Sequence, residues 1–166
     1  MGRDVQEIHE VTQEIELEES CRVIREAFAT VAAEFGLTVQ NNPTNPAFIG
    51  FDNLQAMQAK GVRLFGMYEG GEQIGFAAIE KNDDNLYYLE KLAVHPKHRH
   101  RGYGKGLIDF TVEYVRNNGG KKIGIGLIDE NRVLKDWYYR YGFMETGTKH
   151  FQHLPFTVCL MELILE

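Results

Sequence analysis

The stretch "VHPKHRHRGYGKG", residues 94–106, is the part of the sequence that says most about fold and ligand. Its thirteen residues include four of the 18 Lys and Arg residues, three of the six His residues and no acidic residue. The whole chain has a formal net charge of −6, and without this stretch the remainder carries (18 − 4) − 24 = −10. A local concentration of positive charge in an acidic protein predicts a small anionic ligand.

The spacing of the glycines in this stretch excludes the two common nucleotide motifs. A dinucleotide fingerprint requires G-x-G-x-x-G, whereas Gly102, Gly104 and Gly106 alternate. A nucleotide P-loop requires Ser or Thr after its Gly-Lys pair, and here Gly106 follows Lys105. The anion is therefore predicted to bind in another way.

A local structure explains the glycines. A strand ends at Val94, Pro96 starts the exit, and the glycines bring bare backbone N–H groups to the start of a helix. Such a group of amides binds a pyrophosphate, and Arg99, Arg101 and Lys105 would add full positive charges. A solvated basic turn is the alternative for the other basic residues, which are His95, Lys97, His98 and His100. That alternative does not explain the glycines.

The segments around this stretch predict a mixed α/β layer. Apolar periodicity predicts a helix from Glu18 to Phe35, and "DNLQAMQAK" predicts a second helix that ends at Gly61. Strands are predicted at about 5–12, 62–69, 73–81, 86–94, 121–128, 143–151 and 157–165, with the second to fourth forming an antiparallel meander. Further helices are predicted after the basic stretch up to "NNGG" and at about 131–141.

Length and composition indicate one domain that spans residues 1–166 and needs no disulfide to fold. Cys21 and Cys159 lie in apolar patterns, which is typical of reduced core thiols and predicts a cytoplasmic protein. The polar, acidic start lacks a secretory signal, and nowhere do eighteen apolar residues follow one another. A membrane location is not expected.

Three segments together resemble the GNAT superfamily of N-acetyltransferases. "LAVHPKHRHRGYGKGL" resembles motif A of the family, whose [QR]-x-x-G-x-[GA] signature is met by Arg99, Gly102 and Gly104. "YYLEKLAV" is similar to the family's fourth strand. "NRVLKDWYYRYGF" is similar to its N-x-x-A-x-x-[LF]-Y-x-x-x-G-F segment, with Asn131, Tyr138, Gly142 and Phe143 in register and Leu134 in place of the usual Ala. The resemblance covers about residues 62–165.

The resemblance implies the GNAT fold, of class α/β (α+β): a mixed, mostly antiparallel sheet of six to seven strands flanked by about four helices. Acceptor-side elements would lie at about 17–61 and the acetyl-CoA-binding core at about 86–143. Acetyl-CoA, with its 3′-phosphate and diphosphate, would be the expected anion. Its pantetheine arm would lie between the 86–94 and 122–128 strands.

The resemblance also implies which residues bind acetyl-CoA. Those expected to hold the diphosphate through backbone amides are Arg99, His100, Arg101, Gly102, Tyr103, Gly104, Lys105 and Gly106. The segment expected to run along pantetheine is Leu92, Ala93 and Val94, with the backbone groups of Leu92 and Val94 as its hydrogen-bonding partners. Asn131 can also touch this arm, although capping of its helix is a sufficient reason for Asn at that position.

Two side chains are candidates for catalysis. Strand alternation places Tyr88, Glu90 and Leu92 on one face, and family bases come from this face, so Glu90 is the candidate base, acting directly or through water. Its alternative is an ordinary surface carboxylate. Tyr138 matches the family tyrosine that protonates the departing CoA thiolate, and its alternative is a packed helix aromatic.

The implied activity is transfer of an acetyl group from acetyl-CoA to a primary amine of a small molecule or peptide. A catalytically silent acyl-CoA-binding module is an alternative. Binding of nucleic acid is disfavoured by the −10 charge of the remainder. No metal site is expected, since no His pairs with Cys or carboxylates at ligand spacing. The C-terminal hairpin is a possible homodimer element, and the sequence leaves the acceptor amine open.

Overall fold

A computed structural model describes residues 6–166 and shows a seven-stranded sheet with four α-helices in that range. The strands are β1 (Gln6–Glu10), β2 (Arg63–Glu69), β3 (Glu72–Lys81), β4 (Leu86–Val94), β5 (Lys122–Ile128), β6 (Met144–His150) and β7 (Thr157–Ile164). The helices are α1 (Glu14–Glu34), α2 (Phe51–Ala59), α3 (Tyr103–Asn117) and α4 (Arg132–Tyr141). The predicted fold class is confirmed. Val5 of the predicted first strand lies outside the described residues.

The strands follow the order β1-β2-β3-β4-β5-β7-β6 across the sheet. All neighbouring pairs are antiparallel except β4 and β5, which are parallel because the α3 crossover returns the chain in the same direction. The predicted meander of β2, β3 and β4 is confirmed. β6 lies at the edge of the sheet, and the possible homodimer at this hairpin stays a prediction.

The helices cover the two faces of the sheet. Phe76 and Ala78 of β3 pack with α1 and α2, on what we call the α1 face. Ala77 and Ile79, the alternate residues of the same strand, pack with α3 and α4, on the α3 face. Every residue of β3 from Gln73 to Ile79 is buried, because helices exclude water from both sides.

Helix α1 begins four residues earlier than its apolar periodicity predicts. The Gln13 N–H donates to Oε1 of Glu16 at 3.1 Å, and this contact satisfies a backbone group that the helix start would leave unpaired. The additional turn brings Leu17 into the core, where 2% of its surface is exposed. The apolar periodicity did not indicate this turn, because two of its residues, Glu14 and Glu16, are acidic.

Cys21 and Cys159 are free and buried, and they belong to clusters on opposite faces of the sheet. The prediction of unpaired core thiols is confirmed. None of the helices within residues 6–166 is both long and apolar enough to cross a membrane.

Candidate functional site

The sheet opens between its two parallel strands. β4 and β5 pair at three positions, where Leu86, Tyr87 and Tyr88 face Lys122, Ile123 and Gly124. Within the described residues the β4–β5 ladder ends there, although β4 remains paired with β3 to Val94 and β5 with β7 to Ile128. The facing edges of the two strands therefore leave backbone donors and acceptors available to a ligand.

A bulge interrupts β4 beside this opening. Glu90 lies opposite Ala78, and Ala93 lies opposite Phe76. The two β4 residues between these pairs therefore face a single residue of β3, which defines a β-bulge. Lys91, in the bulge, has a φ of 53°, which is uncommon for a residue other than glycine.

The bulge corrects one prediction from the sequence. Simple alternation placed Leu92 on the same face as Glu90. Leu92 instead packs with the cluster on the α3 face, whereas Ala93 shares the α1 face with the rung of Glu90. The prediction was wrong because the extra residue shifts the alternation by one position.

The backbone of Leu92 and Val94 points toward the opening. The His95 N–H donates to the Ile74 carbonyl of β3 at 2.8 Å, so the backbone groups of Ala93, two residues earlier, also face β3. In a strand the intervening residues direct their N–H and C=O groups to the other side, which here is the side of β5. The backbone groups of Ala93 thus face β3, while those of Leu92 and Val94 face the opening.

The basic stretch forms a turn that leads into α3. His100 and Gly102 have positive φ values of 64° and 82°, and the helix begins at Tyr103. Gly106 donates its N–H to the Gly102 carbonyl at 3.0 Å, which is the first hydrogen bond of the helix. The N–H groups of the first three helical residues, Tyr103 to Lys105, precede this bond and are donors of the kind that bind anions at helix N-termini. Because its own amide is already bonded, Gly106 is not part of this donor set.

The side chain of Arg99 makes contacts that the sequence did not predict. Its guanidinium donates to Thr30 Oγ1 at 3.0 Å and to the Ala27 carbonyl at 2.7 Å, both on α1. These bonds hold the guanidinium against α1, and its role toward the anion stays a prediction. Lys105 pairs with Asp109 at 3.1 Å, one turn further along α3, while Arg101 is exposed. Backbone amides are thus the main donors of the turn.

Gly104 packs closely against α4. A Cβ built at this position would lie 3.1 Å from Cζ2 of Trp137 and 3.2 Å from its Cη2, which is tighter than nine in ten real contacts, so the Trp137 ring would have to shift. Gly102 differs, since an added Cβ would meet nothing within 4 Å but would have to adopt the positive φ. Two glycines of one signature therefore have separate physical reasons.

Glu90 lies partly buried on the α1 face, opposite Ala78. Burial raises the pKa of Glu90, and the neighbouring carboxyl of Glu80 raises it further, whereas Lys91 and Lys60 oppose these effects. A carboxylate with a raised pKa is a stronger proton acceptor once it is ionised. The sequence did not indicate Glu80, because its position beside Glu90 depends on the pairing register of β3 and β4.

Tyr138 is buried on α4, with 7% of its surface exposed. Its ring makes edge contacts with Trp137 and Phe143, at centroid distances of 5.0 and 5.3 Å. Burial raises the pKa of Tyr138, so its hydroxyl remains protonated and able to donate at neutral pH. The ring is part of the core, and this packing is compatible with a role for the hydroxyl.

Asn131 caps α4 as predicted. Its Oδ1 accepts from the Leu134 N–H at 3.2 Å, and 8% of its surface is exposed. Leu134, in place of the small residue typical of the resembled pattern, is partly buried against the cluster on the α3 face. The role of Asn131 toward a ligand stays a prediction.

Asp129, Glu145 and Cys159 bring three potential metal ligands within 4.8 Å of one another. Lys135 Nζ lies 2.6 Å from Asp129 Oδ1 and supplies a positive charge at this cluster. Burial raises the pKa of Cys159 to about 11, so at neutral pH it is a thiol rather than the thiolate that binds metals. We propose no metal here, and the expected absence of a metal site stays a prediction.

Comparisons with known proteins match both the sequence and the fold. The family model described as "Acetyltransferase (GNAT) family" matches residues 24–143. The UPF0157 protein YqkA of Bacillus subtilis is 31% identical over 135 residues, which are 72% of this chain and 36% of that protein. The chain therefore spans about a third of the length of this curated relative.

Two solved structures share the fold. The ribosomal-protein-S18-alanine N-acetyltransferase of Escherichia coli has a TM-score of 0.77 and 15% identity, covering 98% of this chain and 95% of that one. The PaiA N-acetyltransferase of Thermoplasma acidophilum, solved in complex with coenzyme A, has a TM-score of 0.76 and 19% identity, covering 96% and 99%. At such identities the likeness establishes the architecture.

Proposed function

The chain belongs to the acetyltransferase (GNAT) family, and on that premise we propose that it transfers an acetyl group from acetyl-CoA to a primary amine of a small molecule or peptide. The observation that carries this proposal is the opening between β4 and β5, which leads directly into the amide-rich start of α3. A thioester cofactor with an extended amide arm and a diphosphate needs both of these features.

The residues at the opening fit such a cofactor. Backbone groups of Leu92 and Val94 would bind the two amides of the pantetheine arm in the manner of an added strand. The amides from His100 to Lys105 would bind the diphosphate, aided by the dipole of α3 and the charge of Arg101. The proposed set is narrower than the one implied by resemblance, because the amides of Arg99 and Gly106 and the side chain of Arg99 have partners in the protein.

Glu90 is the proposed base. An alkylamine has a pKa of about 10.4 and is mostly protonated at neutral pH, so a proton must leave before its lone pair can attack the thioester carbon. The raised pKa of Glu90, caused by burial and by Glu80, makes its carboxylate a better acceptor of that proton. Glu90 would take it directly or through one water molecule.

Tyr138 is the proposed acid. Once the amine nitrogen has bonded to the carbonyl carbon, the C–S bond breaks and the sulfur leaves with the electron pair. The Tyr138 hydroxyl, kept protonated by burial, would donate its proton to this sulfur. As the amide forms, the nitrogen loses its second proton to solvent, and a proton from solvent restores the Tyr138 hydroxyl. Glu90 and Tyr138 lie on different elements, β4 and α4, as expected if the acceptor and the leaving group are on opposite sides of the reacting carbon.

The acceptor amine would enter from the α1 face, past the segment 36–50 between α1 and α2. This segment lacks a charge pattern that selects one class of amine. The free, buried state of both thiols supports the proposal of a cytoplasmic, reducing location.

Thermal unfolding with acetyl-CoA tests the first part of the proposal. A ligand that binds only the native state adds about 2.7 kcal/mol at a hundredfold excess over its Kd, so the melting temperature should rise. Absence of a rise at millimolar acetyl-CoA would overturn the assignment of the cofactor. Coenzyme A is the matched control for the acetyl group, and adenosine, which lacks both the phosphates and the pantetheine arm, is the negative control.

Release of CoA thiol with a panel of polyamines, amino acids, aminoglycosides and peptides tests the second part. Acetylation of at least one amine class is expected. A thermal shift without thiol release from any amine would instead favour the silent acyl-CoA-binding module.

A further inference from the structure

A second carboxylate accompanies Glu90 on the α1 face. Glu80 lies on β3 two residues after Ala78, which is the residue opposite Glu90. Side chains two positions apart on a strand share a face, so Glu80 and Glu90 are diagonal neighbours across the ladder. Both are partly buried, and the Glu80 carboxyl is close enough to raise the pKa of Glu90.

Two carboxylates in this position cannot share a hydrogen bond unless one of them carries a proton. When both are ionised they repel each other, and a proton taken up by either one relieves the repulsion. One bound proton therefore stabilises the pair, and the two carboxyl groups would share it in a hydrogen bond.

The surrounding charges only partly offset this repulsion. Lys60, just after α2, and Lys91, in the bulge of β4, are the cations that act on Glu90. The α1 helix buries Cys21 in the cluster on this face, and burial raises the pKa of that thiol, so it is neutral at neutral pH. None of the salt bridges within residues 6–166 joins either lysine to Glu90.

We infer that Glu80 is a positioning residue for proton transfer: it shares the proton that Glu90 accepts from the acceptor amine. In this step the N–H bond of the ammonium breaks and an O–H bond forms on Glu90, with the Glu80 carboxylate as hydrogen-bond acceptor. The freed nitrogen lone pair attacks the thioester carbonyl carbon. The inference rests on the proposed function, in which Glu90 is the base.

The test begins without any ligand, by ¹³C NMR titration of Glu side-chain carboxyls in the labelled protein. The resonance of Glu90 is identified by its loss in Glu90→Gln. In Glu80→Gln its titration midpoint should move to lower pH, because a neighbouring negative charge has been removed. Lys60→Gln should move the midpoint less, and to higher pH, because this exposed lysine opposes the effect of Glu80.

Glu72→Gln is the matched control, since Glu72 lies on the same strand and is exposed. The midpoint of Glu90 should be the same in this variant as in the wild-type protein. If Glu80→Gln also leaves it unchanged, the two carboxyls do not interact and the inference is overturned.

Turnover then separates this inference from the proposed function. With an amine that the wild-type protein acetylates, Glu80→Gln should lower the plateau of kcat by roughly tenfold and move its acid limb to lower pH, because Glu90 becomes a weaker base. Acetyl-CoA should still raise the melting temperature of the variant. If the titration midpoint moves but the pH profile equals that of Glu72→Gln, Glu80 takes no part in the reaction. If the wild-type protein acetylates no amine of the panel, the proposed function itself fails.

Discussion

The two sides of the proposed site use different chemical groups: backbone groups on one side and side chains on the other. On the cofactor side, residues 92–105 contribute mainly backbone groups, held in place by a bulge, two positive φ values and the start of α3. On the acceptor side, the α1 face of β3 and β4 contributes side chains, among them Glu80 and Glu90. Backbone geometry requires particular residues, above all glycine, and so leaves a signature in the sequence, whereas many different side chains can line a pocket.

This difference predicts that the two sides can be disabled separately. Glu90→Gln keeps shape and hydrogen bonding but cannot accept a proton, so turnover near neutral pH should fall by about 10² to 10⁴. The loss should shrink at high pH as free amine becomes abundant. The thermal shift with acetyl-CoA should remain, and a loss of turnover that is the same at every pH would assign Glu90 to positioning instead.

Tyr138→Phe tests the side chain that is shared by the core and the proposed chemistry. The ring contacts with Trp137 and Phe143 remain, so acetyl-CoA affinity should change little, while kcat should fall by about 10². Steady-state kinetics and the melting temperature of one preparation decide the matter. A normal kcat would exclude Tyr138 from the reaction and restrict its role to packing.

The same substitution at two glycines tests the cofactor side. Gly102→Val places a branched residue at a φ of 82°, so it should distort the turn and weaken acetyl-CoA binding by at least roughly tenfold. Gly104→Val pushes on the Trp137 ring, so it should lower stability by about 1 to 3 kcal/mol even without a ligand. Denaturant unfolding and acetyl-CoA titration of both variants should show these separate losses. Identical behaviour would mean that one cause governs both positions.

Arg99→Gln should give the smallest effect and tests the connection between the two sides. It removes two hydrogen bonds to α1 and should cost about 1 to 2 kcal/mol of stability. Arg101→Gln, two residues along the same exposed turn, is the control and should leave stability unchanged while weakening acetyl-CoA binding. Equal melting temperatures for the two variants would contradict a structural role for Arg99.

The sequence predicted the cofactor side better than the acceptor side. The strand, turn and helix of residues 86–117 follow from local periodicity and glycine spacing, and the structure confirms them. What could not be predicted depends on contacts between distant segments. Arg99 bonding to α1 joins residues 69 to 72 positions apart in the chain, and the Glu80–Glu90 pair depends on the register of two strands.

The bulge shows the same limit within a single strand. Alternation is a local rule, and it failed at Leu92 because no sequence pattern indicates the additional residue in β4. Lys91, at the centre of this irregularity, is a residue that ordinary strands also contain. Gly102, eight residues after Val94, where the pairing of β4 with β3 ends, has no such ambiguity, because it occupies a conformation that few other residues adopt.

The bulge at Lys91 also sets the curvature of the sheet. Two residues opposite one increase the local twist and bend the strand, so the end of β4 turns away from β5. A chain without Lys91 would keep Ala93 opposite Phe76, because the bulge adds one residue without moving either rung. Its β4 would run straight, however, and could continue to pair with β5 to the end of both strands. Such a protein would retain every reactive side chain, and its own hydrogen bonds would close the gap that a second molecule needs.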